Sequence, residues 1–179
     1  MEKKIEGIKR IALIGPECTA KSTLSEELAI HYKTVRVAEY ARNYLAHLNR
    51  KYTLNDILII AKHQLMEEEI LIPNANRYLF SDTELIINKV WCIDVFKTCP
   101  NWITSRIITK KYDLYLLTFP DLPWQEDNLR ENPYRREFLF NWYEQELINI
   151  SANYSIINGI GEERLQNSIN SIERTFKSP

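Results

Sequence analysis

Gly15-Pro16-Glu17-Cys18-Thr19-Ala20-Lys21-Ser22-Thr23 is the stretch on which the reading of this chain turns. An apolar run, Ile11 to Gly15, leads into it and ends in Gly-Pro, as a buried strand feeding a loop does. Lys21 to Tyr32 leads out of it, with Leu24, Leu28 and Ala29 at helical spacing. Strand, loop and helix in that order is the setting in which G-x-x-x-x-G-K-[ST] works as a phosphate-binding loop. Backbone N–H groups of such a loop, with the positive end of the helix behind them, face anionic phosphates. Lys21 then reaches the β- and γ-phosphates of ATP, and the Ser22 hydroxyl is a ligand for Mg²⁺. All nine residues from Gly15 to Thr23 are candidate ATP-binding positions. Ala20 departs from the pattern, because it stands where the second glycine is usual and its methyl group resists positive φ. Either the local φ is negative and alanine is tolerated, or nucleotide binding is weakened. Cys18, a thiol at a helix start beside Lys21, is a candidate for redox control of ATP binding; the plainer reading is a small residue that fits.

Outward from the loop, strands and helices alternate. Val35–Ala38, Tyr78–Phe80, Asp113–Thr118 and Tyr154–Asn158 are the further predicted strands. Helices are predicted over Tyr40–Leu48, from the Thr53, Asn55 and Asp56 caps to about Ile72, and from Leu85 until Pro100 breaks the run. Two more cover Phe138–Ile150 and Glu162–Phe176. Phe119 to Pro133, with three prolines and many charges, reads as an irregular loop. Five apolar strands separated by helices imply an α/β fold of three layers, a five-stranded parallel sheet covered by helices on both faces.

The chain's 179 residues fit one domain. At 45% hydrophobic and 26% charged residues, its composition is that of a soluble globular protein. A formal net charge of −1 gives no global reason to bind nucleic acid or an anionic membrane. Three cysteines without a CxxC pair read as reduced thiols, and the charged start MEKKIEGIKR carries no export signal, so a cytoplasmic protein is expected.

Ligands of open parallel sheets bind at the carboxyl ends of the strands. Glu39 and Asp82 stand at two such ends. Phosphoryl transfer asks for Mg²⁺, cations on the phosphates and a carboxylate that orients or deprotonates the attacking hydroxyl. Asp82 is therefore a candidate Mg²⁺ ligand, directly or through water, or the base, and Glu39 a candidate grip on a substrate hydroxyl. Each also reads as a helix N-cap or first-turn acid. Tyr40 and Arg42 lie beside Glu39 as candidate substrate contacts, Arg42 alternatively in a surface salt bridge.

A lid is expected over roughly residues 119–136. Arg130, Arg135 and Arg136 there suit the gripping of phosphate oxygens, or pair with Glu131 and Glu137 at a solvated helix start. Trp124 is a candidate stacking surface for the substrate, or a core anchor. Gly159 and Gly161, two of the chain's four glycines, form a strand-to-helix turn suited to lie against adenine, or an ordinary glycine turn.

The ordered set GPECTAKSTL, EYARNYL, SDTELIINKVW, YDLYLL with PWQEDNLR, and NGIGEERL resembles the nicotinamide riboside kinases of bacteria, the kinase portion of NadR-type proteins and their stand-alone relatives. The resemblance runs from Ile8 to Phe176. It implies a P-loop NTPase fold, a single nucleoside kinase-like domain over residues 1–179, and transfer of the γ-phosphate of ATP, with Mg²⁺, to the 5′-hydroxyl of nicotinamide riboside. The product would be nicotinamide mononucleotide, in NAD salvage. Carried over by motif, Lys21 and Ser22 hold phosphate and Mg²⁺, Asp82 and Glu39 are the strand-end acids, and Arg130 belongs to the lid. Family members can carry a Trp before the EY pair where this chain has Ala38, so that Tyr40, Tyr44, Trp91 or Trp124 are the candidates to stack on the base instead. A kinase for another nucleoside, or a nucleotide-binding regulator without turnover, are the alternatives.

Overall fold

The computed structural model describes residues 7–110 and 112–177; most of the charged N-terminal stretch read above lies outside them. The strands are β1 (Lys9–Ile14), β2 (Arg36–Val37), β3 (Tyr78–Asp82), β4 (Leu114–Thr118) and β5 (Tyr154–Ile157). The helices are α1 (Lys21–His31), α2 (Tyr40–Ala46), α3 (Leu54–Leu71), α4 (Leu85–Phe96), α5 (Asn101–Thr109), α6 (Arg136–Asn149) and α7 (Glu162–Phe176). The strands form one parallel sheet in the order β2-β3-β1-β4-β5.

Strand side chains alternate between two cores, as the period of two requires. Ala12 and Ile14 of β1, with Tyr115 and Leu117 of β4, face α3, α4, α5 and α6. Ile11 and Leu13, with Tyr78 and Phe80 of β3 and Leu114 and Leu116 of β4, face α1 and α7. The P-loop NTPase architecture and the three layers expected from the sequence are both present.

Local chemistry sets the ends. α3 opens with a capping box between Thr53 and Asp56, and Pro73 falls in the 3-10 turn Ile72–Asn74 that closes it. α5 lies outside the elements expected from the sequence. Pro100 does break the preceding helix, but it also sits at the start of a new one, where its missing N–H costs nothing, and Ile103 and Ile107 bury one turn apart. None of the described helices is long and apolar enough to cross a membrane.

Register positions the site. Leu13 pairs with Asp82, and Ile14 with Leu117, so the loop after β1 and the acid ending β3 emerge side by side at the carboxyl edge. Gly15 is at φ +149°, and a Cβ there would lie 2.3 Å from Thr118 Oγ1 and 2.8 Å from the Thr118 carbonyl, so only glycine lets the loop leave the sheet here.

Candidate active site

The loop from Gly15 to Ala20 wraps the start of α1. Thr19 Oγ1 donates to the Pro16 carbonyl (2.8 Å) and lies 2.6 Å from Thr118 Oγ1, which bonds the Ile14 carbonyl, so β4 braces the loop. Lys21 Nζ rests on the Pro16 carbonyl at 2.8 Å. Ala20 has φ +59° and Cys18 φ +55°. The first alternative for Ala20 is thereby corrected: the position is left-handed, as where glycine is usual, and alanine bears a strain of roughly 1–2 kcal/mol.

Beneath the loop, Asp82 is wholly buried, and neither carboxylate oxygen has a hydrogen-bond partner. Burial pushes its carboxyl up; the nearby Ser22 hydroxyl, Lys21 and Arg36 oppose this without supplying a hydrogen bond. Thr83 follows at φ +77°, a rare conformation for a β-branched residue, with its buried hydroxyl also unpartnered. The capping reading of Asp82 is overturned by its neighbour: Glu84 caps α4, accepting the Ile86 N–H at 2.8 Å, and burial raises the Glu84 carboxyl to about 8. Glu39 occupies the N-cap position of α2 but makes no capping bond. It lines the cavity instead, its carboxyl raised by burial, with Asp82 adding to the rise and Lys21 and Arg42 opposing it.

The segment after β4 folds over the loop. Glu17 accepts the N–H groups of Glu131 (3.1 Å) and Asn132 (3.0 Å), and Cys18 Sγ accepts the Gln125 N–H at 3.4 Å. Arg42 reaches from α2 to Asp127 at 2.7 Å. Arg130 lines the cavity and donates to the Gln125 carbonyl at 2.6 Å. Arg135 grips Asp94 with both Nη atoms at 2.8 Å, and Arg136 donates to the Leu122 carbonyl at 2.7 Å. These are the partners the arginines take, in place of the expected Glu131 and Glu137.

A cavity of about 1560 Å³ runs between loop and lid. Gly15 and the run from Glu17 to Thr23, with Glu39, Arg42, Arg130 and Arg135, line it as expected. Pro16 and Asp82 are both buried and do not line it. Four further placements differ from expectation. Tyr40 stacks on His63, ring centres 3.5 Å apart, because α2 packs on α3 there. Leu122, Pro123 and Gln125 line the cavity, but Trp124 among them does not. Gly159 and Gly161 stay off it while Ile160 lines it, because the Gly159 N–H is taken by Asp121 at 2.7 Å and Gly161 begins α7.

Three further residues, Tyr52, Thr118 and Arg164, shape the site. Trp91 and Tyr52 meet edge to face at 5.0 Å in the cavity wall; Trp91 was one of four aromatic candidates, while nothing in the sequence marked Tyr52. Thr118 braces the loop from the last position of a strand. Arg164, quoted within NGIGEERL, is 2% exposed, and its guanidinium reaches the backbone carbonyls of Gly159, Thr19, Ile157 and Phe119 as well as the Asp121 carboxylate.

The family model described as AAA domain matches residues 10–164. Over 129 residues the chain is 26% identical to the trifunctional NAD biosynthesis/regulator protein NadR of Salmonella typhimurium, covering 69% of this chain and 31% of that protein. The chain thus spans under a third of that relative's length. Among solved structures, a NadR protein in complex with NR superposes with a TM-score of 0.77 at 19% identity, over 96% of this chain and 52% of that one. A NadR protein in complex with NAD and AMP-PNP gives 0.76 at 18% identity, over 96% and 50%. At these identities the likeness carries the fold.

Proposed function

The chain belongs to the AAA domain family, and from that membership and this site we propose that it is an ATP-dependent small-molecule kinase whose acceptor is nicotinamide riboside. The γ-phosphate goes to the ribose 5′-hydroxyl and the product is nicotinamide mononucleotide. Residues 1–179 act as one nucleoside kinase-like domain, with 119–136 as its lid, on a small-molecule substrate in the cytoplasm. The observation that carries this reading is the unpartnered, buried carboxylate of Asp82 near Ser22 and Lys21, beneath a phosphate loop.

An isolated buried carboxylate is costly unless something positive completes it. Asp82 and Ser22 offer the hard oxygen donors that Mg²⁺ prefers, and no three His, Cys, Asp or Glu side chains converge among the described residues, so phosphate and water would supply the other ligands. The ion, when bound, neutralises charge on the transferring phosphoryl group.

The chain's own residues do the rest. The loop N–H groups and Lys21, released from the Pro16 carbonyl, hold the phosphates. Glu39, facing the cavity with a raised carboxyl, accepts the proton of the attacking hydroxyl, which assigns the base role to Glu39 and ion binding to Asp82. Arg130 exchanges the Gln125 carbonyl for a phosphate oxygen as the lid closes and water leaves. Trp91 and Tyr52, in place of the absent Trp at position 38, offer faces for the acceptor's ring.

The test is a coupled ADP-release assay with Mg-ATP and a nucleoside panel, run beside Lys21→Ala. Turnover confined to nicotinamide riboside and lost in Lys21→Ala is expected. Turnover with another nucleoside replaces the acceptor. ATP binding with no turnover across the panel moves the chain to a nucleotide-dependent regulator, a reading that the strained Ala20 favours.

A further inference from the structure

We propose that Arg164 is a positioning residue for the phosphate loop: its guanidinium holds the Thr19–Ala20 peptide in the orientation phosphate binding needs, and so allows alanine at a left-handed position where glycine is usual. The inference rests on the reading of this loop as a nucleotide-phosphate site.

Arg164 lies in the first turn of α7 and is almost wholly buried. Burying a charge is expensive, and one carboxylate does not account for where this one points. Nη2 reaches Asp121 and the Phe119 carbonyl (3.2 Å), Nε the Gly159 carbonyl (2.8 Å), and Nη1 the Ile157 (3.4 Å) and Thr19 (3.1 Å) carbonyls. Four of these five partners belong to the ends of β4 and β5 and the turns after them. The fifth, Thr19, is 145 residues away in sequence and sits inside the phosphate loop.

The consequence follows from peptide geometry. In a trans peptide the C=O and N–H point in opposite directions. With the Thr19 carbonyl drawn toward Arg164, the Ala20 N–H is turned away from it, and with α1 fixed behind the loop this peptide orientation holds Ala20 at φ +59°. Cys18 and Ala20, both left-handed, flank Thr19, the alternation that gathers successive N–H groups into an anion-binding concavity. Glycine reaches that conformation without strain; alanine needs an outside hold. The side-chain bonds of Thr19 fix the residue but leave its carbonyl to Arg164.

Arg164→Lys keeps the charge and removes the planar fork that spans several acceptors. The experiment is a double-mutant cycle over Ala20→Gly and Arg164→Lys, read by calorimetric ATP affinity and by unfolding of the ligand-free proteins. We expect Arg164→Lys to weaken ATP binding about tenfold with alanine at position 20, and by under about threefold once Ala20→Gly relieves the strain. Unfolding midpoints of the ligand-free proteins should be non-additive in the opposite sense, with a smaller drop when alanine is present, because losing the hold lets the strained Ala20 relax. Equal losses in both backgrounds would overturn the proposal and leave Arg164 as a strut between the ends of β4 and β5. Should Arg164→Lys fail to fold, Arg164→Gln, which also lacks the planar fork, takes its place in the cycle and is read by the same outcomes. If the wild-type protein binds no ATP while its unfolding is coupled as expected, the kinase reading falls and the coupling stands.

Discussion

Asp56 and Asp82 are both buried aspartates, 1% and 0% exposed, and they have opposite surroundings. Asp56, in the first turn of α3, accepts from both Nη atoms of Arg50 at 2.7 and 2.8 Å, from Tyr44 OH at 2.7 Å and from the Thr53 N–H at 2.7 Å. Arg50 foremost, then Thr53 and Tyr44, hold its carboxyl well below the usual range against the effect of burial. Neither carboxylate oxygen of Asp82, at the end of β3, makes a hydrogen bond, and burial pushes its carboxyl up. A saturated carboxylate serves the fold, because every acceptor is already spent within the chain. An unsatisfied one costs the ligand-free fold stability and is kept for something that arrives from outside.

The contrast is broken or sharpened by substitution. Asp82→Asn should lower phosphoryl transfer by at least about 100-fold while the unfolding temperature does not fall, since an unpaired buried charge has been removed. Turnover within a few-fold of wild type would take Asp82 out of the mechanism. Asp56→Asn should do the reverse: a stability loss of about 1–2 kcal/mol, roughly 2–8 °C in this size range, with kcat of the folded protein changed less than about threefold. A large kcat loss at full stability would erase the distinction.

The two also pull stability in opposite directions along pH. Asp56, with a lowered carboxyl, contributes stability that is present above its ordinary range and lost as pH falls through its folded value. Asp82, with a raised carboxyl, contributes stability in its protonated form that is present in full below its ordinary range and lost as pH rises through its folded value. Unfolding temperatures from about pH 2 to 9 should therefore lose part of their alkaline slope in Asp82→Asn and part of their acid slope, below about pH 4, in Asp56→Asn. Glu84, raised to about 8, leaves some alkaline slope in both. Identical profiles for the two variants would show that neither carboxyl titrates as its surroundings require. The smallest effect is expected from Arg42→Ala. Its pair with Asp127 is 48% and 28% exposed, so stability should move by under about 1 kcal/mol, and a few-fold rise in acceptor KM at constant kcat would reflect a looser lid.

Much of the frame was legible in the sequence because it rests on local signals. The apolar strand runs, the phosphate loop between Ile14 and Lys21, the Thr53 and Asp56 caps and the acids ending β2 and β3 are each written within a few residues. What escaped depends on long-range geometry. Nothing local distinguishes Arg164, buried on five acceptors, from a solvated helix arginine. Trp124 and Tyr40 sit in motif segments, yet packing places them off the cavity, while Tyr52, beside a helix cap, is brought onto it. The sign of φ at Ala20 was undecidable because alanine argues for one answer and the hold on Thr19 imposes the other.

The central claim, that the carboxylate of Asp82 is left unsatisfied to complete a Mg²⁺–nucleotide site, is tested most directly by thermal unfolding of wild type and Asp82→Asn with ATP, with and without Mg²⁺. Ligand affinity for the native state raises the unfolding temperature, so the increment due to Mg²⁺ reads the ion's own contribution. The account predicts that Mg²⁺ adds clearly to the ATP-induced rise in the wild-type protein and adds little or nothing in Asp82→Asn. An equal Mg²⁺ increment in both proteins would contradict it.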